Sequence, residues 1–183
     1  MTTRCTWVGT DPLIVAYHDE EWGVPELDSR ALFESLVLDG FSAGLSWLTV
    51  LHKRERFRAA FADFDPARIA RYGARDVARL LRDDGIIRSP PKIAAAIENA
   101  RAFEAMRSGG HELAALVWSA AADEVGPRDR DRISTEVARS LKALGYRFVG
   151  PTLVRAWLRA AGIFNEHEET CFRHHEVAAL SPL

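Results

Sequence analysis

Apolar residues recur at helical spacing along most of the chain, and almost nowhere alternate as a half-buried strand requires. Leu32, Phe33, Leu36 and Val37 share one face, behind Asp28-Ser29 as a cap and ahead of Gly40 as a stop, which predicts a helix there. A second helix is expected from about Ser46 to Phe61, mixing Leu48, Val50 and Leu51 with the basic stretch His52-Lys53-Arg54. Asp65-Pro66 pairs an N-cap with a first-turn proline, and Gly73 is read as the end of that short helix. Ala74 to Arg82 follows, stopped at Gly85, and Ser89-Pro90-Pro91 opens a longer helix through Ile93, Ile97 and Phe103 to Gly109. His111 to Ala120 reads as helical, and Gly126 to Arg132 as a polar, charged loop. The last third reads as helix from Ser134 to Leu144, a tight turn over Gly145 to Gly150, and helix from Pro151 to Ala161. β-Branched alternation, Asn-Gly hairpin turns, repeats and linkers are all missing. The expectation is an all-α protein, one domain over 1–183 made of two helical lobes, with its two ends brought together.

Composition narrows this little. A chain of 183 residues that is 48% hydrophobic can bury a real core. No apolar run approaches the ~20 residues of a membrane span, and Met1 to Trp7 lacks the basic-then-apolar pattern of a signal peptide. The expected setting is cytoplasmic, without membrane attachment, and the expected state is a monomer. A net charge of −2 supplies no global pull toward a polyanion, although a local patch can still hold phosphates. Only Lys53, Lys92 and Lys142 among the 24 basic residues are lysine. Arginine suits phosphate recognition, but a GC-rich genome yields the same bias, so the ratio decides nothing.

Three constellations carry candidate chemistry. Cys5, His18, His167 and Cys171 are good zinc ligands, and His167 and Cys171 are four apart, able to face one metal from a helical turn or compact loop. Two unrelated buried thiols are the plainer reading, and His174 and His175 compete for the ligand role. Trp7, Tyr17, Trp22 and Trp47 lie on segments flanking the helix that carries Asp39. Enzymes acting on a base hold it against aromatic faces and read its edge by hydrogen bonds, and an ionised Asp accepts from an amino group. Such aromatics are more often core, and an Asp before Gly40 is equally a helix-end residue. Finally, Phe148-Val149-Gly150-Pro151-Thr152 resembles the turn of the helix–hairpin–helix of DNA repair proteins, which presents backbone N–H groups to a phosphate. Phe148 stands where many such hairpins have a first glycine.

Together these segments are recognisable. Cys5-Thr6-Trp7, Asp11-Pro12-Leu13 and Tyr17-His18-Asp19-Glu20-Glu21-Trp22-Gly23-Val24-Pro25 resemble the opening of the Tag-type DNA-3-methyladenine glycosylases. Ala43 to Trp47, Gly85 to Arg88, Lys92-Ile93, Asn99-Ala100, Phe148 to Gly150 and the His167/Cys171 ending continue the resemblance in family order along essentially the whole chain. It implies a helix–hairpin–helix glycosylase fold with the hairpin over about 134–162, and a structural zinc on Cys5, His18, His167 and Cys171 joining the two ends. It implies further that Tyr17 and Trp47, with Trp7, Phe41 and Ser42 nearby, meet a flipped base, and that Asp39 takes the place of the base-reading, catalytic carboxylate. Gly44 and Leu45 would approach the gap left in double-stranded DNA, and Val149, Gly150 and Thr152 would meet its backbone. The implied reaction is release of 3-methyladenine from alkylated DNA, leaving an abasic site, without the aspartate that related hairpin glycosylases carry just beyond the hairpin. N3-methylated adenine is cationic, hence an activated leaving group.

The chain departs from the family pattern in three places. Asp39 replaces the usual Glu, Phe41-Ser42 stands where the family has Gln, or an aromatic then Gln, just after Gly40, and Ser89-Pro90-Pro91 replaces a more basic turn before Lys92. A member acting on a different base, or only binding damaged DNA, is the alternative these changes raise. A zinc-stabilised interaction module is a third reading, which the Tyr17, Asp39 and Trp47 set argues against.

Overall fold

The computed structural model describes residues 3–122, 129–180 and 182, and among them there is helix and no strand. The chain opens with α1 (Pro12–Glu20), whose start follows from Asp11: its carboxylate accepts from the N–H groups of Leu13 and Ile14, and Pro12 fills the first turn. Next come α2 (Ser29–Ser42), capped by Asp28, and α3 (Trp47–Ala60), capped by Ser46. Residues Ala62–Phe64 form a short turn with three successive positive φ values, 54°, 55° and 51°. It reverses the chain sharply enough to seat Phe64 in the core beside Phe61. Then follow α4 (Pro66–Ile69), α5 (Ala74–Arg82), α6 (Pro90–Ser108), α7 (Leu113–Ala121), α8 (Arg130–Ala143), α9 (Pro151–Ala160) and α10 (Arg173–Ala178).

The expected helices are present, with shifted ends. Gly40 does not stop α2. The helix runs on to Ser42 because Lys92 of α6 donates to the carbonyls of Phe41 and Ala43 at 2.9 and 2.6 Å, satisfying groups that would otherwise end it. Gly73 is the cap that opens α5, not the end of α4, because the Asp76 carboxylate accepts the Gly73 N–H. Of the loop expected over 126–132, Gly126 lies outside the described residues, while Arg130 to Arg132 form the first turn of α8.

Helix α2 is central, packing on α3, α6, α7 and α9. One apolar core runs from Leu32 to Phe164, with Phe33, Phe41, Phe57 and Trp157 buried in it. A smaller cluster holds Cys5, Val8, Trp22 and Cys171, with Tyr17 and Phe172 against it. Helices α8 and α9 pack as a pair across a turn that is fixed from α6: Asn99 donates to the Arg147 carbonyl at 3.1 Å and accepts the Arg147 N–H at 2.6 Å.

The segment after α1 lies along the end of α9. The Gly23 N–H donates to the Ala160 carbonyl and the Glu26 N–H to the Ala161 carbonyl, at 2.9 and 3.0 Å. This approach requires glycine at 162, where φ is +74° and an added Cβ would sit 2.5 Å from the backbone of Val24 and Pro25. Gly162→Ala should therefore lower the melting temperature by roughly 6–12 °C, the effect of about 3 kcal/mol in a chain of this size. Gly150→Ala, with nothing within 4 Å of the added carbon, should leave it unchanged. Thermal melts of both variants check this, and equal melting points would mean the crossing is not tight.

Candidate functional site

Two sites flank the crossing of residues 22–26. The first is the Cys/His cluster. Cys5, His18, His167 and Cys171 are all buried, and their donor atoms lie within 4.8 Å of one another. Cys171 Sγ is 3.5 Å from His18 Nε2 and 3.6 Å from His167 Nδ1, and Cys5 Sγ is 3.6 Å from His167 Nδ1. Each imidazole has its other nitrogen engaged. His18 Nδ1 pairs with the Asp19 carboxylate at 2.8 Å, and His167 Nε2 with the Trp22 carbonyl at 3.0 Å. Both arrangements leave the lone pair of the inward nitrogen free for a cation, as metal-ligating histidines require. Arg4 hydrogen-bonds Asp19 at 2.6–2.9 Å and holds its carboxyl below the usual range. Burial pushes the His167 imidazole down to about 4 and the Cys5 thiol up to about 11. The donor set therefore fits a tetrahedral divalent cation. His167 and Cys171 sit on a compact loop before α10, not on a helical turn. His174 stands outside the cluster and pairs with the His167 carbonyl, fixing the ligand loop.

The second site is a cavity of about 310 Å³ between α1, α2, α3 and the end of α9. Tyr17 and Trp47 form its aromatic wall, ring centroids 5.4 Å apart and tilted by 43°. Asp39 enters from α2, on the face that also carries Glu34, Ser35 and Leu38. Five carboxylates, from Glu20, Glu21, Glu26, Glu34 and Asp39, line the cavity against two guanidiniums, Arg54 and Arg58. Both arginines are committed to pairs, Arg54 to Glu21 at 2.5 and 2.9 Å and Arg58 to Glu34 at 2.8 Å. No hydrogen bond or salt bridge from a described residue reaches the Asp39 carboxyl. Burial pushes it up to about 7, opposed by the positive charge of Arg159. The Tyr17 hydroxyl is likewise pushed up, by burial and then by the charges of Asp39 and Glu21. Such a cavity favours a flat cation.

The other expected residues are dispersed. Trp7 does not line the cavity; it is 45% exposed and covers the Cys/His cluster, edge-on to Trp22 and His18. Phe41 is buried among Phe57 and Phe61. Ser42 lies one turn beyond Asp39 outside the cavity lining, its hydroxyl donating to the Asp39 carbonyl at 2.8 Å. Gly44, with φ +78°, and Leu45 form an exposed loop before α3. Val149 is buried in the hairpin turn, Gly150 caps α9 and Thr152 is exposed in its first turn. The sequence reading missed the acidic lining and the orienting role of Asp19. Glu34 and Ser35 were legible from their helical spacing to Asp39, and Asp19 from its adjacency to His18. The Trp22 carbonyl leaves no trace in a sequence.

The methyladenine glycosylase family model matches residues 7–174. Over 177 residues the chain is 44% identical to DNA-3-methyladenine glycosylase 1 of Escherichia coli, spanning 92% of this chain and 95% of that protein. Among solved structures it is similar to a 3-methyladenine DNA glycosylase I at 46% identity and a TM-score of 0.87, over 93% of this chain and 98% of the other. It is also similar to the Staphylococcus aureus 3-methyladenine DNA glycosylase I, solved for 3-methyladenine recognition, at 32% identity and a TM-score of 0.83, over 92% and 95% of the two chains.

The position of Asp39 has a thermodynamic consequence. A carboxyl whose folded pKa lies near 7, above the unfolded ~3.9, weakens the fold as pH rises from about 4 through 7, because only the folded state must hold that charge against desolvation. Asp39→Asn removes the charge at nearly constant shape. It should raise stability by about 2–4 kcal/mol at pH 8 and leave it nearly unchanged at pH 4. Urea unfolding of both proteins at the two pH values measures the difference, and equal stabilities at pH 8 would mean that Asp39 is well solvated.

Proposed function

The chain belongs to the methyladenine glycosylase family, and we propose that it excises 3-methyladenine from alkylated double-stranded DNA, leaving an abasic site. The observation that carries this reading is the acid-lined cavity in which Asp39, without a hydrogen-bond partner among the described residues, shares the lining with the aromatic rings of Tyr17 and Trp47. The target atom of a stacked nucleotide is unreachable, so the nucleotide must leave the helix and enter a pocket. N3-methylated adenine carries a positive charge, which the surplus of carboxylates favours and which neutral purines lack. Ionised Asp39 accepts from the exocyclic amino group and keeps the cation in place while Tyr17 and Trp47 hold its plane. The bond from the sugar C1′ to the base nitrogen breaks, the electron pair leaves with the base and neutralises it, and water adds to C1′ with loss of a proton. The leaving group is already activated, so binding and orientation supply most of the catalysis.

In this reading one domain over residues 1–183 acts as a monomer in the cytoplasm, with the hairpin over about 134–162 and the Gly44-Leu45 loop against the duplex. Cys5, His18, His167 and Cys171 hold a structural zinc. Bound zinc supplies four strong bonds between the two ends of the chain and, with four protein ligands, no open position for substrate.

Single-turnover incubation with methylated duplex, followed by mass spectrometry of the released bases, tests the activity. Wild type should release 3-methyladenine, and Asp39→Ala should slow release about tenfold to a hundredfold. The rate should rise with pH through about 7 as Asp39 ionises, and Asp39→Asn should abolish that rise. Asp39→Glu with Ser42→Gln should increase the rate, because the longer carboxylate side chain reaches further into the cavity and the amide at 42, one turn on, can help to position it. Release of another alkylated base alone would point to a different lesion, and an undiminished rate in Asp39→Ala would reduce Asp39 to a helix residue.

Protein purified without chelator should hold about one zinc per chain. His18→Ala should lower both zinc content and melting temperature, while free 3-methyladenine still binds at the cavity. Less than half an equivalent of metal in wild type would refute the zinc assignment.

A further inference from the structure

The tip of the hairpin carries an aromatic residue that neither the core nor the base cavity uses. Phe148 has a φ of +54°, a conformation that glycine adopts freely and a bulky side chain only at a cost. Its neighbours Tyr146 and Val149 are 2% and 1% exposed, whereas Phe148 is 42% exposed. The base of its side chain seats in a crevice with Val37, Gly40, Lys92 and Ala96, and Asn99 clamps the preceding peptide. The backbone and Cβ are thus held at a set place, with much of the side chain in water.

The surroundings identify the partner. Residues 137–165 contain five basic side chains and no acidic one, in a chain whose net charge is −2. Three of the five pair with carboxylates outside this stretch, Arg147 with Glu98, Arg155 with Asp131 and Glu166, and Arg159 with Glu166. The other two, Arg139 and Lys142, are exposed on α8 with no ion pair among the described residues. Through Lys92, the same crevice is tied to the carbonyls of Phe41 and Ala43, which places the Leu45 loop beside it. Leu45 is 47% exposed. An exposed apolar surface on a helical pair that also presents Arg139 and Lys142, next to the start of α9, matches the alternation of sugar and phosphate along a nucleic-acid strand.

We infer that Phe148 is a DNA-contacting residue, its ring packing on the deoxyribose of the duplex backbone while the basic side chains and hairpin amides take the neighbouring phosphates. This rests on the glycosylase reading and extends it, adding an apolar contact that depends on the identity of the side chain. Glycine at this position would relieve the backbone and forfeit the contact.

The test is a fluorescence-anisotropy titration of undamaged duplex over a salt series, with wild type, Phe148→Gly, Phe148→Leu and Phe148→Tyr. Phe148→Gly should bind about tenfold more weakly. Its line of log Kd against log salt should run parallel to that of wild type, because no phosphate contact is lost. Phe148→Tyr should bind as wild type. Phe148→Leu, which fills the crevice without a flat ring, should be weakened several-fold, and it decides the matter if the glycine variant melts below the assay temperature. Binding of free 3-methyladenine should be unchanged in all variants. Wild-type affinity in Phe148→Gly or Phe148→Leu overturns the assignment, as does a salt slope shallower by about one, which would mean that the hairpin backbone itself had moved. If wild type fails to bind duplex at all, the glycosylase reading falls with it; if wild type binds and the variants match it, only the role of Phe148 falls.

Discussion

The structure depends on one close crossing of backbone. Residues 22–26 pass between the end of α9 and the loop that carries His167, at distances where no side chain fits. Gly162 meets the backbone of Val24 and Pro25, and an added Cβ at Gly23, where φ is +78°, would lie 2.8 Å from His167 Nε2. The Trp22 carbonyl then accepts from that same nitrogen. The crossing thereby orients one candidate metal ligand on one side. On the other it supplies Val24, Pro25, Glu26, Ala160 and Ala161 as a wall of the cavity. Packing density makes the two sites share one strut: a shift of the segment that suits one disturbs the other.

Electrostatics divides the molecule into regions that its net charge conceals. Carboxylates gather at the cavity, while the 29 residues of 137–165 have none of their own and are met by Glu98, Asp131 and Glu166 at Arg147, Arg155 and Arg159, leaving Arg139 and Lys142 without an ion pair among the described residues. A long-range field attracting DNA would act against the acidic cavity, and a field attracting cations would repel the duplex. Screening limits each charge group to its immediate surroundings, about 8 Å at physiological salt. Asp39 is where this arrangement costs stability. It is partly buried with no hydrogen-bond partner among the described residues, and burial pushes its carboxyl up to about 7 against the opposing charge of Arg159. Sites built to bind charge commonly carry such unrelieved groups, which the rest of the core must offset.

Helical spacing, Asp and Ser caps, and Pro at first turns determined the helices between Ser29 and Ala160 from the sequence alone, whereas α1, despite its Asp11-Pro12 start, and the short α10 went unread. Such spacings and caps are local interactions, between residues at most four apart, so the chain's order suffices to read them. The Cys/His set and the family resemblance were also legible, because Trp, His and Cys are rare and their order along the chain is specific. Distance in space was not legible. Trp7 follows Cys5 closely and reads as a companion of Tyr17, yet it covers the Cys/His cluster, because the opening segment is bound there by the Thr6–Glu168 hydrogen bonds and the Phe172–Thr3 bond. Phe41 reads as a pocket residue beside Asp39, but successive residues on a helix point about 100° apart, and α3 claims that face. Gly40 reads as a stop, and only Lys92, some fifty residues later, supplies the donor that carries α2 past it. Tertiary structure decided these positions and the acidic lining of the cavity, because each depends on a partner from a distant helix that no local rule can anticipate.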